Sequence, residues 1–140
     1  MTDAPVLCRI FVYGTLRRGE KNHRTYLAGR YRSWAPATLS GRLFFEPEQG
    51  YPYLLPGTET VHGELYELDP ATAPATLQQL DLLEDYDPQH AAASLYLRRR
   101  ATARLADGKG VRVWVYYWNG AEIGRPVAGG DFSSCPGRRD

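Results

Sequence analysis

The stretch IFVYGTLRRGEKNH, Ile10 to His23, changes character halfway along its length. An apolar run of β-type residues from Cys8 to Tyr13 ends at a glycine, and the chain then becomes basic and helix-prone. Because apolar residues occupy both faces of this run, we expect a central strand of a sheet. Asn22 is a candidate N-cap for a short helix that extends to about Leu27. The opening residues therefore predict a buried strand, an abrupt corner and a short helix.

The corner after Tyr13 has the residue types of a small anion-binding site. A glycine at this point lets the backbone turn with positive φ or approach another group closely. The amides of Gly14, Thr15 and Leu16 could then point into one concavity, a nest that binds a carboxylate or a phosphate. The start of the following helix, together with Arg17 and its neighbouring arginine, would add positive potential. An ordinary strand–helix turn with solvated arginines explains the same residues, and no P-loop pattern is present.

The rest of the chain predicts a mixed α+β fold. The segment DGKG, Asp107 to Gly110, is a strong hairpin signal between two strands. Asp69 and Pro70 predict the start of a helix that runs from about Thr72 to Asp85. The predicted strands are Cys8 to Tyr13, Trp34 to Phe45 with bends or a bulge at Pro36 and Gly41, Thr60 to Leu68, Tyr96 to Leu105, and Val111 to Trp118.

Two further segments are expected to lack regular structure. GYPYLLPG, Gly50 to Gly57, predicts an aromatic loop, because proline and glycine favour turns. The tail from about Gly120 is rich in glycine, proline and arginine and predicts coil. We find no repeat and no linker, so we expect one domain over residues 1–140, with about five strands and two helices.

Composition and charge argue against several classes of partner. The formal net charge of +1 gives no support for binding nucleic acid or membrane through bulk charge. No apolar signal-like region follows the amino terminus, and no run approaches the ~18–20 residues of a membrane span. Cys8 and Cys135 lack the spacing of metal ligands, and we interpret them as unpaired thiols in a reducing compartment. We therefore expect a globular cytoplasmic protein.

An acidic residue falls on the apolar face of the second predicted helix. In TLQQLDLLEDYD, Thr76 to Asp87, Glu84 lies seven residues after Leu77 and four after Leu80, with Asp81 close beside it. A carboxylate facing the core is costly unless it is paired, hydrogen-bonded or protonated, and desolvation would raise its pKa. A raised pKa suits general acid/base catalysis near neutral pH. The alternative is a glutamate capped by a tyrosine or an arginine, or a helix that ends before it.

These motifs resemble those of the γ-glutamylcyclotransferase-like family, especially its γ-glutamylamine cyclotransferase branch. VYGTLRRGEKNH, Val12 to His23, and LDLLEDYD, Leu80 to Asp87, carry the resemblance, and their order and separation make it specific. Three strand segments and one C-terminal element extend it over most of the chain. They are VHGELYEL, Val61 to Leu68; YLRR, Tyr96 to Arg99; VWVYYW, Val113 to Trp118; and GGDF, Gly129 to Phe132.

The resemblance implies a fold, an activity and a set of site residues. The family folds as a small barrel-like mixed sheet with flanking helices beside a central cavity. The backbone of Tyr13, Gly14, Thr15 and Leu16 would hold the glutamyl group of a small γ-glutamyl substrate, and Glu84 matches the acid/base glutamate. GGDF usually carries tryptophan at the position of Phe132, which bears on the rim of the cavity.

The implied reaction is metal-independent and uses no cofactor. The α-amine of a γ-glutamyl amide attacks its own γ-carbonyl, forms 5-oxoproline and releases an amine, an activity of lyase or acyltransferase type. The nucleophile belongs to the substrate, which agrees with the lack of serine-hydrolase and zinc-protease motifs in the sequence. The amine portion of the substrate and the oligomeric state stay open.

Two other functions and several less informative residues remain. The chain could be a binding module that performs no reaction, or a phosphate-binding enzyme, although it lacks the acidic metal-binding cluster that phosphoryl transfer commonly needs. We interpret His23 as structural or solvated, and the arginines from Arg98 to Arg100 as solvated or paired. Tyr116 and Tyr117 are candidates for the core or the cavity wall, and strand alternation does not choose between them.

Overall fold

A computed structural model of the chain describes residues 7–20, 22–46, 51–120 and 124–132. Two α-helices and six β-strands lie in these ranges, together with two 3₁₀ segments. In chain order they are β1 (Arg9–Val12), α1 (His23–Tyr26), β2 (Tyr31–Glu46), β3 (Tyr51–Leu68), α2 (Ala73–Leu83), the 3₁₀ segment Pro88–Ala93, β4 (Tyr96–Leu105), β5 (Gly110–Trp118), β6 (Arg125–Pro126) and the 3₁₀ segment Ala128–Gly130.

Five of the strands close into a mixed barrel, which confirms the predicted α+β class. The strand order is β3-β1-β5-β4-β2, and β2 pairs with β3 to complete the circle, while β6 adds to β2 outside it. The pair β1–β5 is parallel and the other described pairs are antiparallel. One apolar cluster, with Phe11, Leu39 and Val113, fills the barrel. A second cluster includes Leu77 and Leu80 of α2 and packs this helix against the strands.

The aromatic loop predicted for Gly50 to Gly57 is wrong over the described residues. Tyr51 to Leu55 belong to β3 and pair with β2 in antiparallel register. Tyr53 and Leu54 are both fully buried, so apolar burial on both faces overrides the turn preference of the nearby proline and glycine. The register jumps after Gly41, where Arg42 pairs with Leu55 and leaves three β3 residues as a bulge. The break expected at Gly41 is thus confirmed.

The strand containing Pro36 begins earlier than predicted. β2 starts at Tyr31, and Pro36 pairs with Glu64 without a shift of register, so no bulge interrupts the strand at this proline. The hairpin predicted at Asp107 to Gly110 is confirmed, because Gly108 has a φ of 87° and β4 pairs with β5 on either side.

Both helices differ from prediction at their ends. The helix α1 is a single turn, and Asn22 makes no capping hydrogen bond with its side chain. The helix α2 begins at Ala73, one residue after the predicted start, and the Asp69 carboxylate accepts the amide of Ala71 at 3.0 Å in the turn before it. It ends at Leu83, so Glu84 occupies the C-cap position.

The coil predicted from about Gly120 is wrong for part of the tail. Arg125 and Pro126 pair with Phe45 and Phe44, and the Val127 amide donates to the Leu43 carbonyl at 2.8 Å. Phe132 is fully buried inside the barrel. Burial of the apolar side chains of Val127 and Phe132 therefore holds the tail on the barrel. Residues 133–140, including Cys135, lie outside the described part of the chain.

The described helices are short. The longest, α2, has 11 residues, and no described helix is long and apolar enough to cross a membrane.

Candidate active site

All five residues predicted from the sequence to form a site line one cavity. It has a volume of about 190 Å³ and lies where β1 ends, between the corner that follows β1 and the end of α2. Tyr13, Gly14, Thr15 and Leu16 form one wall, and Glu84 belongs to another. Side chains from β4 and β5 also contribute to the lining, among them Tyr96 and Tyr116. The structure therefore brings the two separate sequence motifs together.

The corner presents backbone donors to the cavity. A hydrogen bond of 3.0 Å from the Arg17 amide to the Gly14 carbonyl closes a turn, and the Asn22 amide donates to the Thr15 carbonyl at 2.9 Å. Within the described residues, the amides of Gly14, Thr15 and Leu16 donate to no protein group. In this turn Thr15 and Leu16 are the central residues, whose amides do not bond within the turn, and the Gly14 amide precedes it. The three residues of the predicted nest line the cavity, and the binding of an anion by their amides stays a prediction.

Gly14 is required by close packing. Its φ is not positive, and a Cβ atom built on it would lie 2.5 Å from Cγ of Pro52, which also lines the cavity. Of the two reasons for a glycine at this corner, close approach is therefore the one that applies. The positive φ in this loop belongs to Gly19, at 84°.

The predicted contribution of the two arginines is wrong. Arg17 pairs with Asp131 at 2.6 Å, and neither arginine lines the cavity. The amide of Arg18 donates to Glu64 at 2.8 Å, and its guanidinium lies over Trp34, 4.5 Å from the ring centroid. Buried Glu64 on β3 thus binds the loop that contains both arginines. No sequence pattern near the corner predicts this contact. Since α1 is a single turn, positive potential at the cavity comes mainly from the backbone amides.

The Glu84 carboxylate is desolvated and makes no hydrogen bond or ion pair with the described residues. Burial raises its pKa to about 7, from an ordinary value of 4.5. The residue lies at the C-cap of α2, so its side chain reaches the cavity beyond the last helical turn. Of the two alternatives, a glutamate capped by arginine or tyrosine is wrong for this position, whereas the helix does end before Glu84. A carboxylate of this kind can accept a proton from a ligand near neutral pH.

The acid that does have arginine and tyrosine partners is Asp81. Its carboxylate accepts two hydrogen bonds from Arg98, from Nε at 2.7 Å and from Nη2 at 3.1 Å. It also accepts the hydroxyl of Tyr116 at 2.6 Å. Arg98 is therefore a partly buried, paired residue, unlike its exposed neighbours Arg99 and Arg100. Strand position alone does not show which of the three arginines faces a helix acid.

The hydroxyls of the tyrosines around the cavity already have protein acceptors. Tyr13 donates to the Tyr116 carbonyl at 2.7 Å, and Tyr96 donates to the Pro52 carbonyl at 3.1 Å. Burial raises the pKa of the Tyr13 phenol well above its ordinary value, so it stays neutral. With the Tyr116 hydroxyl held by Asp81, none of these three protons is directed to a ligand.

Thr15 supplies a side-chain donor for the cavity. The Asn22 amide group donates to Thr15 Oγ1 at 2.9 Å, so the threonine proton must point elsewhere. Thr15 and Asn22 both line the cavity, and their hydrogen bond explains why Asn22 does not cap α1. The Thr15 hydroxyl and the second N–H of the Asn22 amide are therefore candidate donors to a ligand, together with the three corner amides.

Two other expectations concern residues near the cavity. His23 has a structural position, with Nδ1 3.1 Å from the Leu16 carbonyl and its ring 5.5 Å from that of Tyr66. Phe132, where the family usually has tryptophan, packs 5.8 Å from the Phe45 ring and is not part of the cavity wall.

The described ranges contain no group of three His, Cys, Asp or Glu side chains placed to hold a metal ion.

The fold agrees with comparisons to known proteins. Residues 10–134 match the family model described as "Gamma-glutamyl cyclotransferase, AIG2-like". This match covers most of the chain, which therefore belongs to that family of γ-glutamyl cyclotransferases.

Named relatives and a solved structure support the same assignment. The chain is 34% identical to the γ-L-glutamyl-butirosin B γ-glutamyl cyclotransferase of Niallia circulans, over 79% of this chain and 66% of that protein. It is also 34% identical to the γ-glutamylaminecyclotransferase of Rattus norvegicus, over 74% of this chain and 68% of that protein. The crystal structure of an AIG2-like protein from Mus musculus aligns with a TM-score of 0.63 and 31% identity, over 82% of this chain and 80% of that one.

Proposed function

We propose that this protein releases 5-oxoproline and a free amine from a small γ-glutamyl amide, with Glu84 as the acid/base. The observation that carries the proposal is a desolvated carboxylate and three available amides in one cavity. These groups complement the ammonium and the carboxylate of an amino acid. A cytoplasmic location belongs to the same proposal.

Binding would fold the flexible glutamyl chain back on itself. The substrate carboxylate is received by the amides of Gly14, Thr15 and Leu16, while its ammonium meets Glu84. This places the α-nitrogen near the γ-carbonyl carbon of the same molecule. Positioning of this kind is a large source of rate acceleration, because the two reacting groups need no further ordering.

Glu84 moves the protons that the reaction requires. It accepts a proton from the α-ammonium, and the resulting amine attacks the γ-carbonyl to form the ring bond. The bond from the γ-carbon to the leaving nitrogen then breaks. Two protons leave the α-nitrogen and two reach the leaving amine, each through the carboxylate, so the overall reaction needs no external base. A positioned acid/base is typically worth ~10²–10⁴ in rate.

The tetrahedral oxyanion needs a donor, and the tyrosines around the cavity do not offer one. The Thr15 hydroxyl and the second N–H of the Asn22 amide are the side-chain donors still available, since the three corner amides receive the substrate carboxylate. Preorganised donors of this type lower the barrier, by ~10²–10³ in rate for one donor. The proposal includes no metal step, because the nucleophile is the substrate's own amine and the acid/base is a side chain.

A glutamate-to-glutamine exchange tests the proposal. We expect wild-type protein to release 5-oxoproline from at least one member of a γ-glutamyl amide panel, measured by mass spectrometry. Glu84→Gln should lose turnover by at least ~10²-fold and keep its affinity for 5-oxoproline, whose ring nitrogen carries no charge. Asp87→Asn removes an exposed acid three residues away and should turn over normally.

Two results would contradict the proposal. Normal turnover by Glu84→Gln would show that another group is the base. Binding of 5-oxoproline by wild type, with no product from any γ-glutamyl amide, would favour a binding module instead.

A further inference from the structure

Asp81 has an unusually complete set of partners for an acid outside the proposed chemistry. It lies in the last turn of α2, three residues before Glu84, and only 8% of its surface is exposed. Its carboxylate accepts two hydrogen bonds from Arg98 and one from the Tyr116 hydroxyl, all between 2.6 and 3.1 Å. A bidentate pair with this geometry fixes direction as well as distance.

Arg98 is itself held in place. Its guanidinium carbon lies 4.4 Å from the ring centroid of Trp114 on β5 and 5.9 Å from that of Tyr86, just beyond α2. The arginine thus sits between the sheet and the end of the helix. Burial alone raises the pKa of Glu84, which agrees with the Asp81 charge being neutralised by its partner.

The hydrogen bonds continue from α2 to the opposite wall of the cavity. Tyr116 donates its hydroxyl to Asp81, and its backbone carbonyl accepts the hydroxyl of Tyr13 at 2.7 Å. Tyr13 is directly followed by Gly14, the first of the three available amides. One connected set of bonds therefore joins the helix that carries Glu84 to the corner that faces it.

We propose that Asp81 is a positioning residue that, through Arg98 and Tyr116, sets the distance between Glu84 and the corner amides. This inference rests on the proposed function. In Asp81→Asn one oxygen remains as an acceptor, but the pair with Arg98 loses its charge and the hydrogen bond from Nη2, so the link from the end of α2 to β4 is weakened. Glu84 then samples positions from which it does not reach the α-nitrogen.

Kinetics of Asp81→Asn test this role. We expect kcat to fall by ~10–100-fold, since misplacement of a reacting group by about 1 Å costs up to ~10². The KM should change by less than about threefold, because the corner amides that grip the substrate carboxylate are ordered by their own turn. Tyr116→Phe removes the hydroxyl and leaves the Arg98 pair intact, so its kcat should fall in the same direction by a smaller factor.

Asp87→Asn is the matched control, because Asp87 is an exposed acid that pairs with His90. It should match wild type in kcat and KM. Thermal unfolding reports whether each variant is folded. If Asp81→Asn is unfolded, the kinetics of Tyr116→Phe decide the test. A kcat within twofold of wild type in both folded variants would overturn the inference, as would equal losses in kcat and in 5-oxoproline affinity.

A second readout does not depend on activity. The carboxyl pKa of Glu84 is measured by NMR of carbon-13-labelled glutamate. Tyr13 and Tyr116 are the ionisable groups that face Glu84, with Asp81 and Arg98 behind Tyr116. Burial raises the Glu84 pKa, so a carboxylate that Asp81 no longer holds in place should contact water more often, and its pKa should fall toward the ordinary value.

The two readouts separate the inference from the proposed function. An unchanged Glu84 pKa in folded Asp81→Asn would overturn the inference while wild-type turnover still stands. The opposite result is a lowered Glu84 pKa in Asp81→Asn together with wild-type protein that yields no 5-oxoproline from any γ-glutamyl amide. It would refute the proposed function and retain the positioning role.

Discussion

Gly14 and Pro52 meet at the cavity wall with no room for a side chain between them. A Cβ atom on Gly14 would lie 2.5 Å from Pro52 Cγ and 3.1 Å from its Cδ. Gly14→Ala should therefore displace the corner and weaken 5-oxoproline binding by at least about tenfold, a loss of ~1.4 kcal/mol. Calorimetry or thermal shift with 5-oxoproline measures this change.

The second residue of this contact supplies the control. In the double variant with Pro52→Ala, the Cγ and Cδ atoms are absent and the nearest remaining proline atom, Cβ, is 3.9 Å away. Binding should return toward the level of Pro52→Ala alone. Failure of this rescue would mean that Gly14 is needed for another reason.

The rate should depend on pH through Glu84. The pKa of this carboxyl is raised to about 7, and the base form is the active one. We expect kcat/KM to rise with pH to a plateau above about pH 8, and to be about tenfold lower at pH 6. A profile that stays flat from pH 5 to 8, with protein shown to be folded by circular dichroism, would exclude Glu84 as the base.

The same carboxyl should lower stability as pH rises. Its pKa is about 7 in the folded protein and 4.5 as a free group, so the folded state holds a proton that the unfolded state releases between these values. Glu84→Gln should thus unfold like wild type at pH 4 and be more stable at pH 8, by at most about 3 kcal/mol. Urea unfolding at the two pH values measures the difference. Equal stability of the two proteins at pH 8 would contradict a desolvated glutamate.

Arg17 should contribute to stability and not to ligand binding. It pairs with Asp131 at 2.6 Å and lies 3.9 Å from Glu64, away from the cavity. Arg17→Met keeps much of the apolar stem and should cost roughly 1–2 kcal/mol of unfolding free energy. Affinity for 5-oxoproline should stay within about twofold of wild type, as in the exposed control Arg32→Met. A tenfold loss of affinity would place Arg17 in the anion site after all.

Phe132 tests how tightly the barrel is filled. It is fully buried against Phe45, at the position where the family usually carries tryptophan. Phe132→Trp should destabilise the fold by about 1–3 kcal/mol, because a larger ring must displace well-packed neighbours. Turnover should be preserved, since this residue does not line the cavity. An increase in melting temperature would show that the barrel has room for the indole.

Sequence patterns predicted the parts of the site that depend on local chain geometry. The corner at Tyr13 follows from a strand that ends in glycine, and helical periodicity indicates Glu84 although the helix ends one residue before it. Periodicity does not show whether Asp81 or Glu84 pairs with a cation. The partner is Arg98, which lies on β4, and this strand begins after the helix. The same limit applies to Arg17, which is turned away from the cavity by Asp131 and Glu64.

Sequence patterns failed where long-range packing overrides local preference. Residues near Tyr53 and Leu54 carry turn formers, yet their burial makes them part of β3. The glycine, proline and arginine content of the tail predicted coil, but Phe132 is buried in the barrel core and fixes the tail there.

The parallel pairing of β1 with β5 has a consequence for how the cavity comes into existence. Tyr13 and Tyr116, which join its walls, are 103 residues apart along the chain. Contacts of such long range form only after a large loop has been closed, at a considerable cost in chain entropy. No truncated fragment that stops before β5 can assemble the binding cleft, so capture of 5-oxoproline would report completion of folding rather than formation of a local motif.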